Sequence, residues 1–378
     1  MAVHSNTLTN LVPDIIEARD SVSRELTGLI PSVTIYSGTE GIAKGQTVRI
    51  PQTGTMAAET ITPASIVPDT GAQTIGNTTM VMDQAYAVPF GWQGEEETSF
   101  RSNGTFSSLF AQQVAQAIRT LNNQIEADIA KVYKKASRAY GTAGTAPFGS
   151  SVADAAQVQK ILNDNGAPAN DRSLVIDSSA GVNLRSLVHL TSQYAAGTDM
   201  TLRQGTLLPL FGMDIKESAQ IQSHTAGGMT GFQLDGTIAA GVSTLTFDGG
   251  TVKSTGCVAG DIITIGSGGG VGTADANKYV VTTGSTSTSG SIVIGKPGLL
   301  LQHVDNDEIT IGSSYRANMA FHRGAIVLMC RPPKRPMGGD LAVDVATITD
   351  PLTGMTYSIA QYATYMGMRY QVELVWGV

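Results

Sequence analysis

The run Gly290-Ser-Ile-Val-Ile-Gly295-Lys296-Pro297 comes within one residue of the phosphate-cradling GxxxxGK[ST] loop. That loop needs a Ser or Thr after the lysine to hold magnesium, a strand before it and a helix after it. Here Pro297 takes the hydroxyl position and the interior residues read as a β-run, so nucleotide binding is not expected. Gly266 to Gly272 misses the GxGxxG pattern because Val271 stands where the third glycine belongs, and it reads as a turn. The five histidines, His4, His189, His224, His303 and His322, are scattered, without HExxH spacing or a cysteine companion for zinc. Asp305, Asp307 and Glu308 lack the remaining oxygen ligands of a calcium loop and read as a polar turn before the strand Ile309 to Gly312. No GxSxG elbow is present and the carboxylates do not pair along the chain, which leaves open only a dyad assembled by the fold. No catalytic, cofactor-binding or metal-binding residue is therefore assigned, and no enzyme activity is expected. The densest basic run, Arg331-Pro-Pro-Lys334-Arg335-Pro, reads either as a rigid solvated exit from a strand or as a turn facing an acidic partner or enclosed nucleic acid.

The bulk composition points away from a tight nucleic-acid reader. The net charge is −7 and the pI is near 5.2, whereas such proteins show a basic domain or stripe. Only 15% of the 378 residues are charged, against about 25% in a typical soluble domain. A weakly charged Ser/Thr/Gly surface is easily desolvated against other protein, which favours self-association. Cys257 and Cys330 stand in apolar surroundings without CxxC spacing and read as buried free thiols. Met1 to Asp20 carries Asp14, Glu17 and Asp20 and lacks the pattern of a signal peptide. No stretch approaches the ~20 apolar residues of a membrane span.

Several elements must position these residues. Leu11, Ile15, Val22, Leu26 and Leu29 recur at helical spacing in an arm that has to lie on its own body or on a neighbour. Val48 to Trp92 reads as a long β-hairpin, with Val48 and Ile50 on one strand and Met80 and Met82 on the other. It packs either on its own core or on an adjacent subunit. Phe110, Val114, Ile118, Leu121, Ile125, Ile129, Val132 and Ala136 form the stripe of one helix, capped by Asn103 or Thr105 and ended by Gly141. At ~1.5 Å per residue this predicts a helix of roughly 50 Å. Glu95, Glu96 and Glu97 precede it, and Lys131, Lys134, Lys135 and Arg138 fill its last turns, in the sense that suits the helix dipole. Beyond it come a helix at Val152 to Asn163, a buried strand at Ser173 to Asp177, a helix at Ser179 to His189 and a strand within Leu207 to Ser218. Ala320 to Cys330 reads as one apolar strand that completes the sheet begun at Leu174, and Gln361 to Val378 as a terminal strand.

Thr225 to Ser314 differs from both flanks: of its 90 residues, 19 are Gly, 23 are Ser or Thr and 10 are charged. Six short β-runs (GFQLDG, STLTFDG, GDIITIG, KYVVTTG, GSIVIGK and EITIG) predict a small sandwich or barrel inserted into another fold.

The order of these parts resembles the major capsid proteins of tailed bacteriophages with the Hong Kong 97-type fold. It is similar above all to the coat proteins of short-tailed Salmonella phages, which carry an inserted β domain. The likeness is carried by LVPDIIEARDSVSRELTGLIPSV, the Val48 to Trp92 hairpin, AIRTLNNQIEADIA and MAFHRGAIVLMCRPP. The resemblance implies an α+β chain divided into an N-terminal arm (1–44), an E-loop hairpin (45–92), a peripheral domain with the spine helix (93–150), and an axial domain (151–224 and 315–350). The inserted all-β domain would occupy 225–314 and a terminal strand of the peripheral domain 351–378. It implies pentamers and hexamers in an icosahedral shell around packaged double-stranded DNA, assembled in the host cytoplasm with a portal protein and a separate scaffolding protein. A decoration protein is compatible with it, and a cofactor or membrane is not called for. Leu11, Ile15, Leu26, Val48, Ile50, Met80 and Met82 would be intersubunit contacts, and Arg331, Lys334 and Arg335 a turn toward an acidic partner or DNA. An encapsulin-like cellular shell protein and a hydrolase with a carbohydrate-binding β insertion are the alternatives.

Overall fold

The computed structural model describes residues 26–52, 75–102, 106–192, 200–253, 255–266, 275–350 and 353–378, with single residues between some of these spans. Expectations for Leu11, Ile15, the caps Asn103 and Thr105, the Ser267 to Gly272 part of the glycine-rich run and most of the hairpin tip fall outside them. The chain mixes α and β structure in two compact units. One comprises Ile35–Leu121 and Leu328–Val378, the other Ser23–Thr34 and Asn122–Val327.

The first unit is built on a six-stranded sheet. Thr34–Ser37 pairs with Val327–Arg331, followed by Gly367–Gly377, Thr356–Thr364 and Ala342–Thr349, while Gln84–Gln93 lies along the other side of Gly367–Gly377. The β-branched and aromatic residues of the terminal strand fit a pleated, buried surface, and Tyr370, Val372, Leu374 and Trp376 are all buried. Thr47–Gln52 and Gly76–Val81 form the expected antiparallel hairpin, with Val48 opposite Met80 and Ile50 opposite Thr78. The residues after Met82 depart from the expectation. Gln84–Gln93 leaves the hairpin because ten ladder positions are available to it on Gly367–Gly377, from Gln84↔Trp376 to Gln93↔Gly367. The long helix begins in this unit, where Phe110 meets Tyr370 at 4.8 Å and Phe90 at 5.7 Å between ring centres.

That helix covers Phe106–Ala130, 25 residues, or about 37 Å at ~1.5 Å per residue. Its stripe from Phe110 to Ile129 is buried as the spacing predicts. It stops well before Gly141, since Lys131–Lys135 tighten into a 3-10 turn and Ala136 is extended. The physical reason is lateral: Tyr133 is drawn into a buried hydrogen bond with His224. Glu95, Glu96 and Glu97 begin a helix of their own, Gly94–Ser102.

In the second unit, Met319–His322 runs antiparallel to Arg172–Ile176, which runs parallel to Met213–Glu217. This is the sheet expected from Leu174, now seen opposite Ala320. Ala320 to Cys330 is two strands instead of one, because Arg323–Ala325 forms a 3-10 turn in which Gly324 N donates to His322 Nδ1. The helix expected over Ser179 to His189 likewise breaks at Leu187, leaving Ser178–Ser186 and Val188–Thr191.

All six β-runs are strands, and they close. The order is Ile262–Ile265, Glu308–Ile311, Phe232–Leu234, Thr244–Asp248, Gly290–Ile294 and Lys278–Thr283, and the last pairs back with the first. Closure removes the exposed edges that a sandwich would have to protect. Inward residues alternate along each strand: Phe232 and Leu234, Leu245 and Phe247, Ile263 and Ile265, Tyr279 and Val281, Ile292 and Ile294 are all buried together. Each such side chain adds about 1.5–3 kcal/mol of apolar burial. Arg138–Ala139, outside the six runs, adds a short strand to Lys278–Thr283. Among the described residues no helix is long and apolar enough to cross a membrane.

Candidate assembly surfaces

Of three buried polar networks, two join residues far apart in the sequence and were invisible in it. Tyr133 Oη and His224 Nδ1 are 2.8 Å apart, and His224 Nε2 is 2.8 Å from Asp261 Oδ1. Asp261 also accepts the backbone N–H groups of Gly227 and Val258. An imidazole protonated at Nε2 satisfies both contacts, with the tyrosine donating and the carboxylate accepting. This is the kind of His–Asp pair that only a fold can assemble, yet His224 and Asp261 are both buried. Burial pushes the Tyr133 hydroxyl up, with Asp261 adding to the shift, so the network ties the helix end to the barrel as a hydrogen-bond clamp. Cys257 lies beside it, and burial together with Asp261 raises that thiol to about 12.

The second network sits in the barrel. Tyr279 Oη donates to Asp275 at 2.6 Å, and Asn277 donates through its backbone and side chain. Burial pushes the Asp275 carboxyl up, and these donors with His303 more than reverse it, leaving it below the ordinary range. His303 Nδ1 is 3.1 Å from Asp307 Oδ2, which also accepts from Val304 N. Asp307 is thus a turn-former, as its place before Ile309 suggests, and Asp305 accepts from Gly236 N. Among the described residues no group of three or more His, Cys, Asp or Glu side chains could hold a metal ion.

The third holds the segment entering the first strand. Glu126, with no exposed surface, accepts hydrogen bonds from Gly28 N at 2.7 Å, Leu29 N at 2.6 Å and Ile30 N at 2.8 Å. Burial raises its pKa, and these donors with Ser218 offset the rise only in part.

The residues expected at subunit contacts divide by exposure. Leu26 is 58% exposed, whereas Met82 is fully buried and Met80 nearly so. Met82 is a core residue, held where its backbone bonds Gln46 and Gly45, so it presents nothing to a neighbour. Val48 and Ile50 are half-buried on the face they share with Met80, while the opposite face of the hairpin, Thr47, Arg49 and Pro51 with Asn77, Thr79 and Val81, is exposed. Leu11 and Ile15 lie outside the described residues.

The basic run is not a free turn. Arg335 pairs with Asp340 and, at 2.5 Å, with Glu373, and it donates to Tyr362 Oη. Arg331 faces Glu40 at 3.6 Å, and Lys334 N donates to Ile42 O. Arg335 therefore clamps its own loop to the sheet, with its charge neutralised inside the unit. What that loop carries outward is apolar: Met337 is fully exposed and Leu341 is 89% exposed. Ala342 faces Tyr362 in the ladder, and shortly past Tyr362 the chain turns through Tyr365 and Met366, which are 95% and 67% exposed. Met366 holds a left-handed φ of 56°, a conformation costing a non-glycine residue roughly 1–2 kcal/mol. Val343 is exposed beside them. Nothing in the sequence marked this cluster, since its residues are isolated among Gly, Asp and Thr.

No family model and no curated protein matches the chain. Solved structures similar to it include one from Mycobacterium phage Che8, at 16% identity over 88% of this chain and 80% of that one, with a TM-score of 0.42. The capsid structure of cyanophage P-SCSP1u is similar at 11% identity over 94% and 85%, with a TM-score of 0.45. The mature capsid of bacteriophage PhiM1 is similar at 10% identity over 93% and 82%, with a TM-score of 0.41. At TM-scores below 0.5 these likenesses carry no weight by themselves, and the functional reading rests on the surfaces above.

Proposed function

We propose that the chain is a major capsid protein of a tailed bacteriophage, a structural subunit with the Hong Kong 97-type fold. Many copies would assemble as pentamers and hexamers into an icosahedral shell around double-stranded DNA, with scaffolding and portal proteins as partners. The observation that carries the reading is the exposure of Leu341, Val343, Tyr365 and Met366 near the end of the six-stranded sheet where Ala342 pairs with Tyr362. Large apolar side chains exposed at one end of a sheet fit a surface that another protein covers. A second copy is the fitting partner, because the flanking charges of Arg335, Asp340 and Glu373 are already paired with one another. The Thr47–Gln52 and Gly76–Val81 hairpin supports the same reading, since a two-stranded ribbon exposed on one face is marginal until something packs on it. Leu11, Ile15, Leu26, Val48, Ile50, Met80 and Met82 are the proposed contact residues; of these Leu26, Val48 and Ile50 have surface open to a neighbour, while Met80 and Met82 are buried in the single chain. In this reading the barrel is an accessory domain and the chain's place is the virion.

Electron microscopy of the purified protein, with and without a co-expressed scaffolding protein, tests this. Uniform particles or ring-shaped capsomers are expected. A protein that remains monomeric under both conditions contradicts it.

A further inference from the structure

We propose that Lys131, Lys134, Lys135 and Lys296 form one basic patch that binds the phosphate backbone of double-stranded nucleic acid. The proposal goes beyond the assembly reading, because the patch lies on a single chain and needs no neighbour.

The dipole of the long helix suits Lys131, Lys134 and Lys135 at its C-terminal end but does not account for Lys296, which follows a barrel strand far along the chain. The helix ends at Ala130, and Lys131, Lys134 and Lys135 stand on the 3-10 turn beyond it. The barrel brings Lys296 to the same place. Gly295 is so close to the chain leaving the turn that an added Cβ would lie 2.2 Å from Ala136 O and 2.8 Å from Ser137 Cα. Lys135 and Lys296 are thus each one residue from that contact, although they are far apart in sequence. All four lysines are exposed. Lys131 pairs with Asp128 at 2.7 Å, and among the described residues no carboxylate pairs with the other three. In a chain of net charge −7, these exposed lysines make a local concentration of positive charge, which attracts anions.

The chemistry favours a phosphate backbone over an acidic peptide. Lysines act as mobile point charges, without the planar fork that reads carboxylates in pairs. Duplex DNA offers one charge per ~1.7 Å of its axis, so several phosphates lie within reach of such a cluster whatever the sequence. A peptide would need an open strand edge or an apolar groove to fix it, and the neighbouring strand Lys278–Thr283 is already paired on both sides.

The test is fluorescence anisotropy of a labelled 20-base-pair duplex and of a labelled glutamate-rich peptide, titrated with the full chain between ~50 and ~200 mM salt. With about three phosphates neutralised, the slope of log affinity against log salt is about −3, a loss of roughly 40-fold across that range. K134Q/K135Q/K296Q should lower duplex affinity at least tenfold at low salt and flatten the slope, while K44Q/K253Q, which alters exposed lysines in other segments, should change neither. Circular dichroism of each variant confirms folding. Equal losses in both variants, no duplex binding by the unaltered chain, or tighter binding of the peptide than of the duplex would each overturn the proposal. A chain that binds duplex but never assembles would sustain it and sink the shell reading instead.

Discussion

Replacing Glu126 by alanine removes the single acceptor for three consecutive backbone N–H groups, those of Gly28, Leu29 and Ile30. The site is fully buried, so water cannot take over those bonds. Each orphaned donor costs about 1–3 kcal/mol, and the carboxylate's own burial cost is recovered, so the net loss for E126A is about 3–5 kcal/mol. E126Q keeps the shape and one acceptor oxygen and also removes the cost of burying a charge, so its loss should be less than half as large. The pH dependence separates the two. Burial raises the pKa of Glu126, so between the unfolded and folded values the native chain holds a proton that the unfolded chain has released. Its contribution is therefore fully present below the ordinary carboxylate range and is lost as the pH rises through the raised value. The unaltered protein should show that step in urea unfolding curves, and E126Q should not. Hydrogen exchange supplies the local readout: the amides of Leu29 and Ile30 should be protected in the native protein and exchange at least 100-fold faster in E126A. If E126A loses less than about 1 kcal/mol, or those amides stay protected, the cradle is not what holds this segment.

Two further outcomes follow from the buried groups. Cys257 and Cys330 are buried and burial raises both thiols, so a thiol reagent at neutral pH should modify neither in the native protein and both after denaturation. Reaction of either one in the native state contradicts the burial described. Asp275 is held below the ordinary carboxylate range by Tyr279, Asn277 and His303, so its contribution is present above that range and lost as the pH falls through its lowered value. Acid unfolding followed by circular dichroism should be less steep in D275N, and an unchanged profile would remove Asp275 from the account.

Local pattern and long-range pairing are not equally legible. The period-two runs of the barrel and the three-four spacing from Phe110 to Ile129 can be read directly, because each strand or helix carries its own apolar face. Closure of the barrel cannot, since it depends on Ile262 pairing with Val280 as well as on the strands that intervene in the sheet order. The end of the long helix escapes a local reading for a related reason. Gly141 is the local stop signal, but Tyr133 is held by His224, 91 residues away, and tertiary context overrides propensity there. In the sequence the basic run at Arg331 to Arg335 reads as a solvated exit from a strand or a turn facing an acidic partner or DNA, while the partners that neutralise Arg335 lie in the loop and strands that follow. The exposed residues Leu341, Tyr365 and Met366 have no periodicity, and only the pairing of Ala342 with Tyr362 shows that the segments carrying them end on the same side of the sheet.

The assembly claim stands or falls on sedimentation velocity of the unaltered chain beside L341D/Y365D/M366D. These side chains are exposed, so the variant should keep the thermal stability of the parent. The unaltered chain should sediment as capsomers or closed particles and the variant as a folded monomer. An unaltered chain that stays monomeric at high concentration, or a variant that assembles equally well, would contradict it.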